Sequence, residues 1–253
     1  MKISIITVCY NASEFIRYAI ESVLAQSYPD IEYIVIDGAS NDGTLEIINE
    51  YSKDIKHIVS EPDQGIYDAM NKGLKMATGD IIGTLNADDF YSDNDVLNRV
   101  SECFRDESVD AVYADLVYVN QIETDKTVRL WKSRCFISGL FKQGWVPPHP
   151  TFFTRKQVYK NYGYFDLKYK LAADFELLFR MIEVNKIKTV YVPSILVKMR
   201  MGGATNKNIT NIIQQNKEIL LVLKAYYSDL SVINWFAHKS LDRFMQFVRS
   251  LEL

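Results

Sequence analysis

The sequence predicts an α/β protein: a doubly wound, mostly parallel central sheet flanked by helices, with a C-terminal helical appendage. Two observations carry this prediction. Between residues 3 and 77, three rounds of apolar run, polar loop and helical periodicity follow one another, which is the order of parallel strands joined by crossover helices. A fourth apolar run, residues 81–85, ends in an acidic cluster, at the edge where such sheets bind ligands.

The first half of the chain alternates strands and helices. Residues 3–8, 31–36, 55–59 and 81–85 are apolar and β-branched, which favours buried strands. Pro29 ends the first intervening helix. Apolar residues at helical spacing mark three helices: Ile16, Ile20, Val23 and Leu24 in the first, Leu45, Ile48 and Tyr51 in the second, and Ile66, Met70, Leu74 and Ala77 in the third.

The second half has a different pattern. We expect helices at 96–104 and 172–184 and strands at 111–119, 127–131, 151–153 and 190–199, with a proline-rich loop at 144–150. After Gly202 and Gly203 the chain is helical, so we divide it into a main domain, residues 1–205, and an appendage, residues 206–253. The appendage has two apolar stripes: Ile209, Ile212, Ile219 and Leu223, then Ile233, Ala237, Leu241, Phe244 and Val248.

The composition limits the class of protein and the cellular compartment that we expect. Of the 253 residues, 48% are hydrophobic, which is enough for a substantial core. The net charge of −3 gives no reason to expect a nucleic-acid partner. Three scattered cysteines favour a reducing cytoplasm, and Cys9 falls in the first strand, where we expect a core position. We expect neither a signal peptide nor a spanning helix, and so a soluble protein for which surface contact with a membrane stays open.

Polar side chains stand at the predicted strand ends. Thr7, Asp37 and Asp88 lie at or near the carboxyl ends of three strands, which form one crevice in a doubly wound sheet. Asp37 suits a base N–H or a ribose hydroxyl, and Asp88 with Asp89 suits Mg²⁺ or Mn²⁺ carrying a diphosphate. The alternative is a polar loop whose aspartates cap the next helix. No Walker loop or G-x-G-x-x-G follows the first strand, which weakens the P-loop and dinucleotide interpretations.

Asp174 stands at the start of the predicted helix at 172–184, after two alanines that leave room for a substrate. A metal-bound diphosphate is a good leaving group, because the metal stabilises its negative charge. An alcohol that displaces it needs a base, and Asp174 is a candidate for that base. The alternative role of Asp174 is an N-cap residue.

Several segments in register resemble the nucleotide-binding signatures of family-two glycosyltransferases, which have the GT-A fold. These are IITVCYN at 5–11, VIDGASNDGT at 35–44 and LNADD at 85–89. The segments SEPDQGIYDAMNKG at 60–73, HPTFF at 149–153 and AADFELL at 172–178 are similar to a bacterial branch that builds O-antigen and other polysaccharide repeat units. The resemblance covers about residues 2–205 and leaves the C-terminal helices outside.

The resemblance implies roles for residues of the nucleotide-binding half, about residues 1–115. Thr7, Tyr10 and Asp37 would hold the nucleotide base and ribose. Asp68 would line the nucleotide side of the cleft. The other half, about residues 116–205, would bind the acceptor.

The resemblance also implies the metal site and the base. Asp88 and Asp89 match the acidic motif that binds Mn²⁺ or Mg²⁺. The family often has Asp where this chain has Asn86, so we expect Asn86 to bond ribose or a metal-bound water and not the metal itself. Asp174 matches the catalytic base of inverting members, which often carry Glu at the position of Ala173.

Three further residues are candidates for contact with the diphosphate or the acceptor. His149 follows two prolines and precedes a predicted strand. Trp145 could stack on a sugar ring, or it could serve packing. Arg200, beside the double glycine of a possible hinge, could clamp a phosphate, or it could be a surface arginine.

The activity implied by the resemblance is inverting transfer of a sugar from a nucleotide donor, a UDP-sugar, to a hydroxyl of a growing glycan. The implied acceptor is carried on a polyprenyl diphosphate at the cytoplasmic face of the membrane. Two alternatives stay open: a nucleotidyltransferase, and a non-catalytic nucleotide-sugar-binding subunit of an assembly.

The last predicted helix interleaves apolar and aromatic residues with Lys239, Arg243 and Arg249. Such a helix can lie on an anionic membrane surface and approach a lipid-linked acceptor. It can equally dock on the core of its own chain or on a second subunit in a homodimer.

Overall fold

A computed structural model describes residues 1–202 and 209–250. Gly203 and the domain boundary predicted at residues 205 and 206 lie outside the described residues. The strands are β1 (Ile3–Cys9), β2 (Ile31–Asp37), β3 (His57–Ser60), β4 (Ile81–Asn86), β5 (Asp89–Tyr91), β6 (Ala111–Val119), β7 (Thr127–Trp131), β8 (Phe153–Arg155) and β9 (Thr189–Arg200). The α-helices are α1 (Ile16–Leu24), α2 (Thr44–Glu50), α3 (Ile66–Met76), α4 (Val96–Cys103), α5 (Lys156–Tyr162), α6 (Ala173–Leu178), α7 (Ile209–Tyr226) and α8 (Val232–Arg249).

One mixed sheet runs through the molecule, in the order β3-β2-β1-β4-β8-β6-β9-β5, with β7 paired to β6. Strands β1 to β4 are parallel, and Ile3 of β1 is in register with Ile31 of β2 and Ile81 of β4. Strand β8 is antiparallel to both β4 and β6, while β9 is parallel to β6. The predicted α/β class is confirmed, and the parallel half is the part that the repeated strand-loop-helix pattern predicted.

Both faces of the sheet are covered, as a doubly wound fold requires. Alternate residues of β1 point to opposite sides, so Ile6 belongs to the core under α3 and Ile5 to the core under α1. Cys9 is buried, as predicted. Gly73 lets α3 lie close to the sheet, because a Cβ there would stand 2.4 Å from Cγ2 of Ile6. This close packing sets the position of the first turn of α3.

The structure corrects the predicted elements around the proline-rich loop. Residues 149–151 form a 3₁₀ turn and not the start of a strand, and β8 begins only at Phe153. The turn is held by Thr151, whose hydroxyl donates to the carbonyl oxygens of Pro148 and Ala114 at 2.8 and 3.1 Å. Helix α5 and the short strand β5 were not predicted. The predicted helix at 172–184 is α6 continued by a π-helix, Phe179–Val184.

Helix α8 docks on the main domain through an unexpected face. Trp235 and Gln246 are buried, whereas the apolar stripe predicted from periodicity points outward, with Ile233 82% and Phe244 63% exposed. The inward face is therefore the mixed one, which also carries Lys239. Within the described residues, no helix combines the length and apolarity needed to cross a bilayer.

Candidate active site

Tyr10, Gly38 and Asp63 lie together where the parallel strands end. Tyr10 follows β1, Gly38 follows β2 and Asp63 follows β3. A Cβ at Gly38 would stand 2.5 Å from Oδ2 of Asp63 and 3.4 Å from the ring of Tyr10, so these two side chains pack closely over the buried backbone at Gly38. Tyr10 is 64% exposed. An exposed ring beside a carboxylate can stack on a flat base and accept its N–H.

Sequence reasoning missed Asp63 as a site residue. Its carboxylate accepts the backbone N–H of Gly65 at 2.8 Å, which shapes the loop before α3. Its position in the sequence could have identified it, because Asp63 is an acidic residue in the loop that follows a parallel strand, as Asp88 follows β4.

Two residues predicted to contact the nucleotide, Thr7 and Asp37, are buried beneath the strand ends. Asp37 is fully buried, and its carboxylate accepts the backbone N–H of Ser40 at 3.1 Å and the hydroxyl of Ser60 at 2.6 Å. Thr7 is also fully buried, and its hydroxyl accepts a 3.0 Å hydrogen bond from Tyr33. These hydrogen bonds organise the strand ends, and direct contact of Thr7 and Asp37 with base or ribose stays a prediction.

Asp68 lies in the first turn of α3 on the same side of the sheet. It accepts the backbone N–H of Gln64 at 3.0 Å, and Nζ of Lys72 lies 4.0 Å away. This arrangement holds the loop that carries Asp63.

The acidic turn after β4 contains one carboxylate that is buried and one that is partly exposed. Asp89 is fully buried and accepts a 3.0 Å hydrogen bond from Nδ2 of Asn86. Burial and the charge of Asp88 raise the pKa of the Asp89 carboxyl well above its usual range. Asp88 is only partly buried. The two aspartates, predicted as equivalent ligands, therefore differ in accessibility.

Arg200 ends β9, whose preceding residue Met199 pairs with Asp89 of β5. Its guanidinium lies 4.6 Å from the ring of Tyr18, and Nη1 donates to the carbonyl oxygen of Gln121 at 2.6 Å. Burial lowers the pKa of Arg200, and the charges of Asp88 and Asp89 oppose that shift. Nε and Nη2 have no hydrogen-bond partner in the described part of the chain. Arg200 is thus a buried cation beside the acidic turn and not a surface arginine.

The predicted base, Asp174, lies in the first turn of α6 and is half-buried. Its Oδ1 accepts a 2.9 Å hydrogen bond from the hydroxyl of Tyr67, in the first turn of α3. Helix α3 starts just beyond the carboxyl end of β3, so this bond ties Asp174 to the edge that also carries Asp88. The structure therefore brings together the ends of two motifs that are far apart in sequence.

His149 is buried near Asp174, with its ring edge-on to Phe165 at a centroid distance of 5.5 Å. Burial lowers the pKa of His149, although the charge of Asp174 opposes this, so the imidazole is neutral at pH 7. Tyr67 stacks on the same Phe165 ring at 5.4 Å. His149 is therefore part of the wall around Asp174.

Lys239 of α8 is a further charged group of this cluster. Its Nζ donates to Oδ1 of Asn216 at 2.7 Å and lies 4.6 Å from the ring of Trp235. Burial and the charge of Arg243 lower the pKa of Lys239 to about 8, and the charge of Asp174 opposes this shift. Sequence reasoning missed this role because Lys239 lies outside the motifs and off the apolar stripe of its helix.

Trp145 is buried, and the faces and edge of its ring pack against other aromatic side chains. It is only 6% exposed, and it stacks on Phe136 at 5.9 Å and meets Phe141 edge-on at 5.5 Å. These contacts are those of the packing role that the sequence left open, and stacking on a sugar ring stays a prediction. The short loop after Gly144 turns the indole into the core under α8.

Comparison with known families decides the class of the protein. Residues 4–167, about two thirds of the chain, match the family model described as glycosyl transferase family 2. The chain belongs to this family. The matched region includes the acidic turn, whereas Asp174 and the C-terminal helices lie beyond it.

Relatives and solved structures agree with this assignment. The glycosyltransferase is 29% identical, over 207 residues, to a PGL/p-HBAD biosynthesis glycosyltransferase of Mycobacterium bovis, covering 80% of this chain and 78% of the relative. It superposes on Staphylococcus aureus TarS 1–349 in complex with UDP-GlcNAc with a TM-score of 0.66 at 15% identity, covering 99% of this chain and 83% of that one. For the mannosyltransferase PcManGT of Pyrobaculum calidifontis in complex with GDP-Man and Mn²⁺, the TM-score is 0.65 at 17% identity, with 99% and 73% covered. The fold is thus that of GT-A glycosyltransferases.

The acidic turn of the glycosyltransferase fits a divalent cation. Oδ1 of Asn86 and Oδ1 of Asp89 are buried and have no hydrogen-bond partner among the described residues, and Asp88 lies beside them. Hard cations take such oxygens. Within residues 1–202 and 209–250, no group of three or more His, Cys, Asp or Glu side chains is placed to hold a metal, so phosphate and water oxygens would have to complete the shell.

Proposed function

We propose that this glycosyltransferase moves a sugar from a nucleotide-sugar to a hydroxyl group of a glycan acceptor, with inversion at the anomeric carbon. The observation that carries the proposal is the hydrogen bond from Tyr67 to Asp174, because it holds a carboxylate at the strand-end edge that also bears Asp88. A leaving-group site and a base on the same cleft are what a single displacement requires.

The donor in this proposal is a UDP-sugar. Support comes from Tyr10 and Asp63, which flank the backbone at Gly38 and offer a ring and an acceptor to a base. The TarS structure contains UDP-GlcNAc and the PcManGT structure GDP-Man, so the fold is compatible with nucleoside diphosphate donors of both base types.

We assign the diphosphate to the acidic turn. Asp88, with Asp89 behind it, would hold a Mn²⁺ or Mg²⁺ ion, and the bound ion would supply Lewis-acid stabilisation of the departing diphosphate. Nε and Nη2 of Arg200 have no hydrogen-bond partner among the described residues, so they can donate to phosphate oxygens. Asn86 positions Asp89 and offers its own oxygen to ribose or a bound water.

In the transfer step, Asp174 accepts the proton of the attacking hydroxyl. The acceptor oxygen forms its bond to the anomeric carbon as the bond from that carbon to the diphosphate oxygen breaks, and the electron pair leaves with the nucleoside diphosphate. Tyr67 keeps the carboxylate oriented during this transfer. His149, neutral and buried, shapes the acceptor side of the cleft.

The acceptor in this proposal is a glycan on a polyprenyl diphosphate, used for a bacterial surface polysaccharide such as O-antigen or capsule at the cytoplasmic face of the membrane. Helix α8 supports it with an outward apolar face of Ile233, Leu241 and Phe244, next to the exposed cation Arg243. Such a face suits peripheral contact with an anionic bilayer. A homodimer that covers the same face is the competing arrangement. A nucleotidyltransferase is disfavoured by the family match, and a non-catalytic subunit by the intact Asp88 and Asp174.

A nucleotide-sugar screen with Mn²⁺ or Mg²⁺, reading release of nucleoside diphosphate with and without lipid-linked acceptor, tests the reaction. Asp174→Asn should keep donor affinity and lose transfer by about 10²- to 10⁴-fold, the usual contribution of a general base. Asp54→Asn, an exposed acid away from the cleft, is the matched control. Near-normal transfer by Asp174→Asn would place the base elsewhere.

A further inference from the structure

A cavity of about 240 Å³ opens between the segment that follows β7 and helix α8. We call it the basic cavity. It is separate from the acidic turn and from Asp174, and none of the motifs predicts it. Its lining residues are Lys132, Ser133, Arg134, Trp145, Asp242 and Arg249.

Two buried side chains of the basic cavity have hydrogen-bonding atoms without a partner. Ser133 is 7% exposed and Trp145 is 6% exposed. The hydroxyl of Ser133 and Nε1 of Trp145 are both buried, and neither has a hydrogen-bond partner among the described residues. A buried donor without an acceptor is unfavourable, so a ligand that supplies acceptor oxygens would satisfy both.

The charge of the basic cavity is positive. Lys132, Arg134 and Arg249 face one carboxylate, Asp242, which accepts a 3.1 Å hydrogen bond from Gln246. In the described part of the chain, none of the three cations lies within 4 Å of a carboxylate oxygen. Their charges are therefore available to an anion.

A second carboxyl lies behind the wall of the basic cavity. Asp115 accepts the backbone N–H of Ser133 at 2.6 Å and the hydroxyl of Tyr191 at 2.9 Å. Burial raises the pKa of Asp115, which weakens its competition with an anion for Lys132 and Arg249. Its hydrogen bonds instead hold Ser133 in place, with the Ser133 hydroxyl left for a ligand.

The basic cavity adjoins the acceptor side of the cleft. Gly144, next to Trp145, contacts Lys239: a Cβ at Gly144 would stand 3.1 Å from Cβ of Lys239. Lys239 belongs to the cluster around Asp174, and Asp242 of the cavity follows it by one helical turn. One turn of α8 therefore connects the basic cavity with Lys239.

We propose that the basic cavity binds a phosphate or diphosphate group of the acceptor. Three cations, a hydroxyl and an indole N–H match the several acceptor oxygens of such an anion. The identity of the molecule that carries this phosphate group rests on the proposed function, because the acceptor is taken to be a glycan on a lipid diphosphate. Binding of the anion itself does not depend on that reaction.

The first experiment measures anion binding without catalysis. Calorimetry with inorganic pyrophosphate, with the donor site saturated by nucleoside diphosphate and Mn²⁺, should give binding that falls about tenfold or more in Arg134→Gln/Arg249→Gln. Lys53→Gln, an exposed lysine elsewhere, is the control and should bind as wild type. Equal binding by the double variant and wild type would overturn the proposal.

The second experiment identifies the molecule that carries the phosphate group. In the double variant, KM should rise about tenfold for a soluble glycan that carries a diphosphate. KM for the same glycan without the diphosphate should be unchanged. Hydrolysis of the donor in the absence of acceptor should also be unchanged. If the wild-type protein hydrolysed no nucleotide-sugar, the proposed function would be wrong. The result on pyrophosphate binding would remain valid. If the double variant lost binding only to phosphatidylglycerol vesicles, with the KM values unchanged, the cavity would be a lipid headgroup site and the acceptor assignment would be wrong.

Discussion

The hydroxyl of Tyr67 donates a 2.9 Å hydrogen bond to Oδ1 of Asp174, which lies 107 positions later in the chain. Burial and the adjacent Asp174 charge raise the pKa of Tyr67 well above 10, so the phenol stays a donor throughout the neutral range. The bond joins the first turns of α3 and α6 and orients the carboxylate to which we assign proton transfer.

Removal of this donor should slow transfer without loosening the donor site. A hydrogen bond to a charged group is worth about 1.5–3 kcal/mol, so Tyr67→Phe should lower kcat roughly 10- to 100-fold at unchanged KM for the nucleotide-sugar. Steady-state kinetics check this. Tyr162→Phe, in α5, is the matched control. An unchanged kcat for Tyr67→Phe would show that the bond is only structural.

Substitution of both aspartates of the acidic turn should abolish metal-dependent donor binding. In Asp88→Ala/Asp89→Ala the hard oxygens offered to a cation are lost, so addition of Mn²⁺ should no longer strengthen binding of UDP. Calorimetry with and without Mn²⁺ measures the difference. Asp125→Ala, exposed in the β6–β7 turn, should behave as wild type. Metal-dependent binding that survives in the double variant would remove the metal from this turn.

Activity should respond to the protonation of Lys239. Burial and Arg243 lower the pKa of Lys239 to about 8 against the pull of Asp174, so the ammonium is lost as the pH rises through about 8. If its charge contributes to transfer, kcat/KM of wild type falls above pH 8, and Lys239→Gln is about tenfold slower at pH 7 without that alkaline limb. Lys239→Arg should keep activity to higher pH.

The control for Lys239 is Lys224→Gln, an exposed lysine in the last turn of α7. Its pH profile should match that of wild type. An alkaline limb that persists in Lys239→Gln would belong to another group.

Glu32 should make stability pH-dependent. Burial alone would raise the pKa of Glu32, but donors from Ser4 and Thr78, with N–H of Thr78 at 2.7 Å, outweigh it and lower the pKa to about 2. A depressed folded-state pKa stabilises the protein above the unfolded-state value of about 4.3, and this stability is lost as the pH falls toward 2.

The test is Glu32→Gln. It should lose about 1.5–3 kcal/mol of unfolding free energy at pH 7, and the gap to wild type should narrow below pH 4, as measured by urea unfolding. Glu107→Gln, an exposed acid, should leave stability unchanged. A constant gap from pH 7 to pH 3 would mean that packing and not charge carries the effect.

Asp63 should contribute to the choice of base. Asp63→Asn replaces an acceptor with a group that also donates, so KM for the preferred nucleotide-sugar should rise about tenfold and discrimination between UDP and GDP should narrow. Competition of the two nucleotides against the donor measures this ratio. Asp54→Asn is again the control, and an unchanged ratio in Asp63→Asn would move base recognition to Tyr10 and the backbone.

Much of the nucleotide half could be predicted because its signals are local. A run of β-branched residues predicts a strand from local sequence alone. The residue that follows a parallel strand lies, by topology, at the edge of the sheet where ligands bind. That argument placed Asp88 at the carboxyl end of β4, where the structure has it. It did not separate residues within a strand end, so it could not predict that the side chains of Thr7 and Asp37 are fully buried.

The acceptor side could not be predicted in the same way. Trp145 stands after a glycine in a loop, and no periodicity says on which side of the chain its indole lies. Helix α8 has a clear apolar stripe, yet the face that docks carries Trp235 and Lys239, because Asn216 of α7 and the aromatic core offer partners there. These choices depend on residues distant in sequence.

By itself, then, the sequence determined the α/β class, the parallel order of the first strands and the presence of acidic groups at their ends. These follow from periodicity and from the geometry of parallel sheets. The tertiary structure alone decided that Tyr67 holds Asp174, that Asp89 is buried while Asp88 is only partly so, and that α8 packs Lys239 against Asn216 and Trp235. The physical reason is that burial and hydrogen-bond pairing are set by contacts between distant segments, which no local pattern encodes.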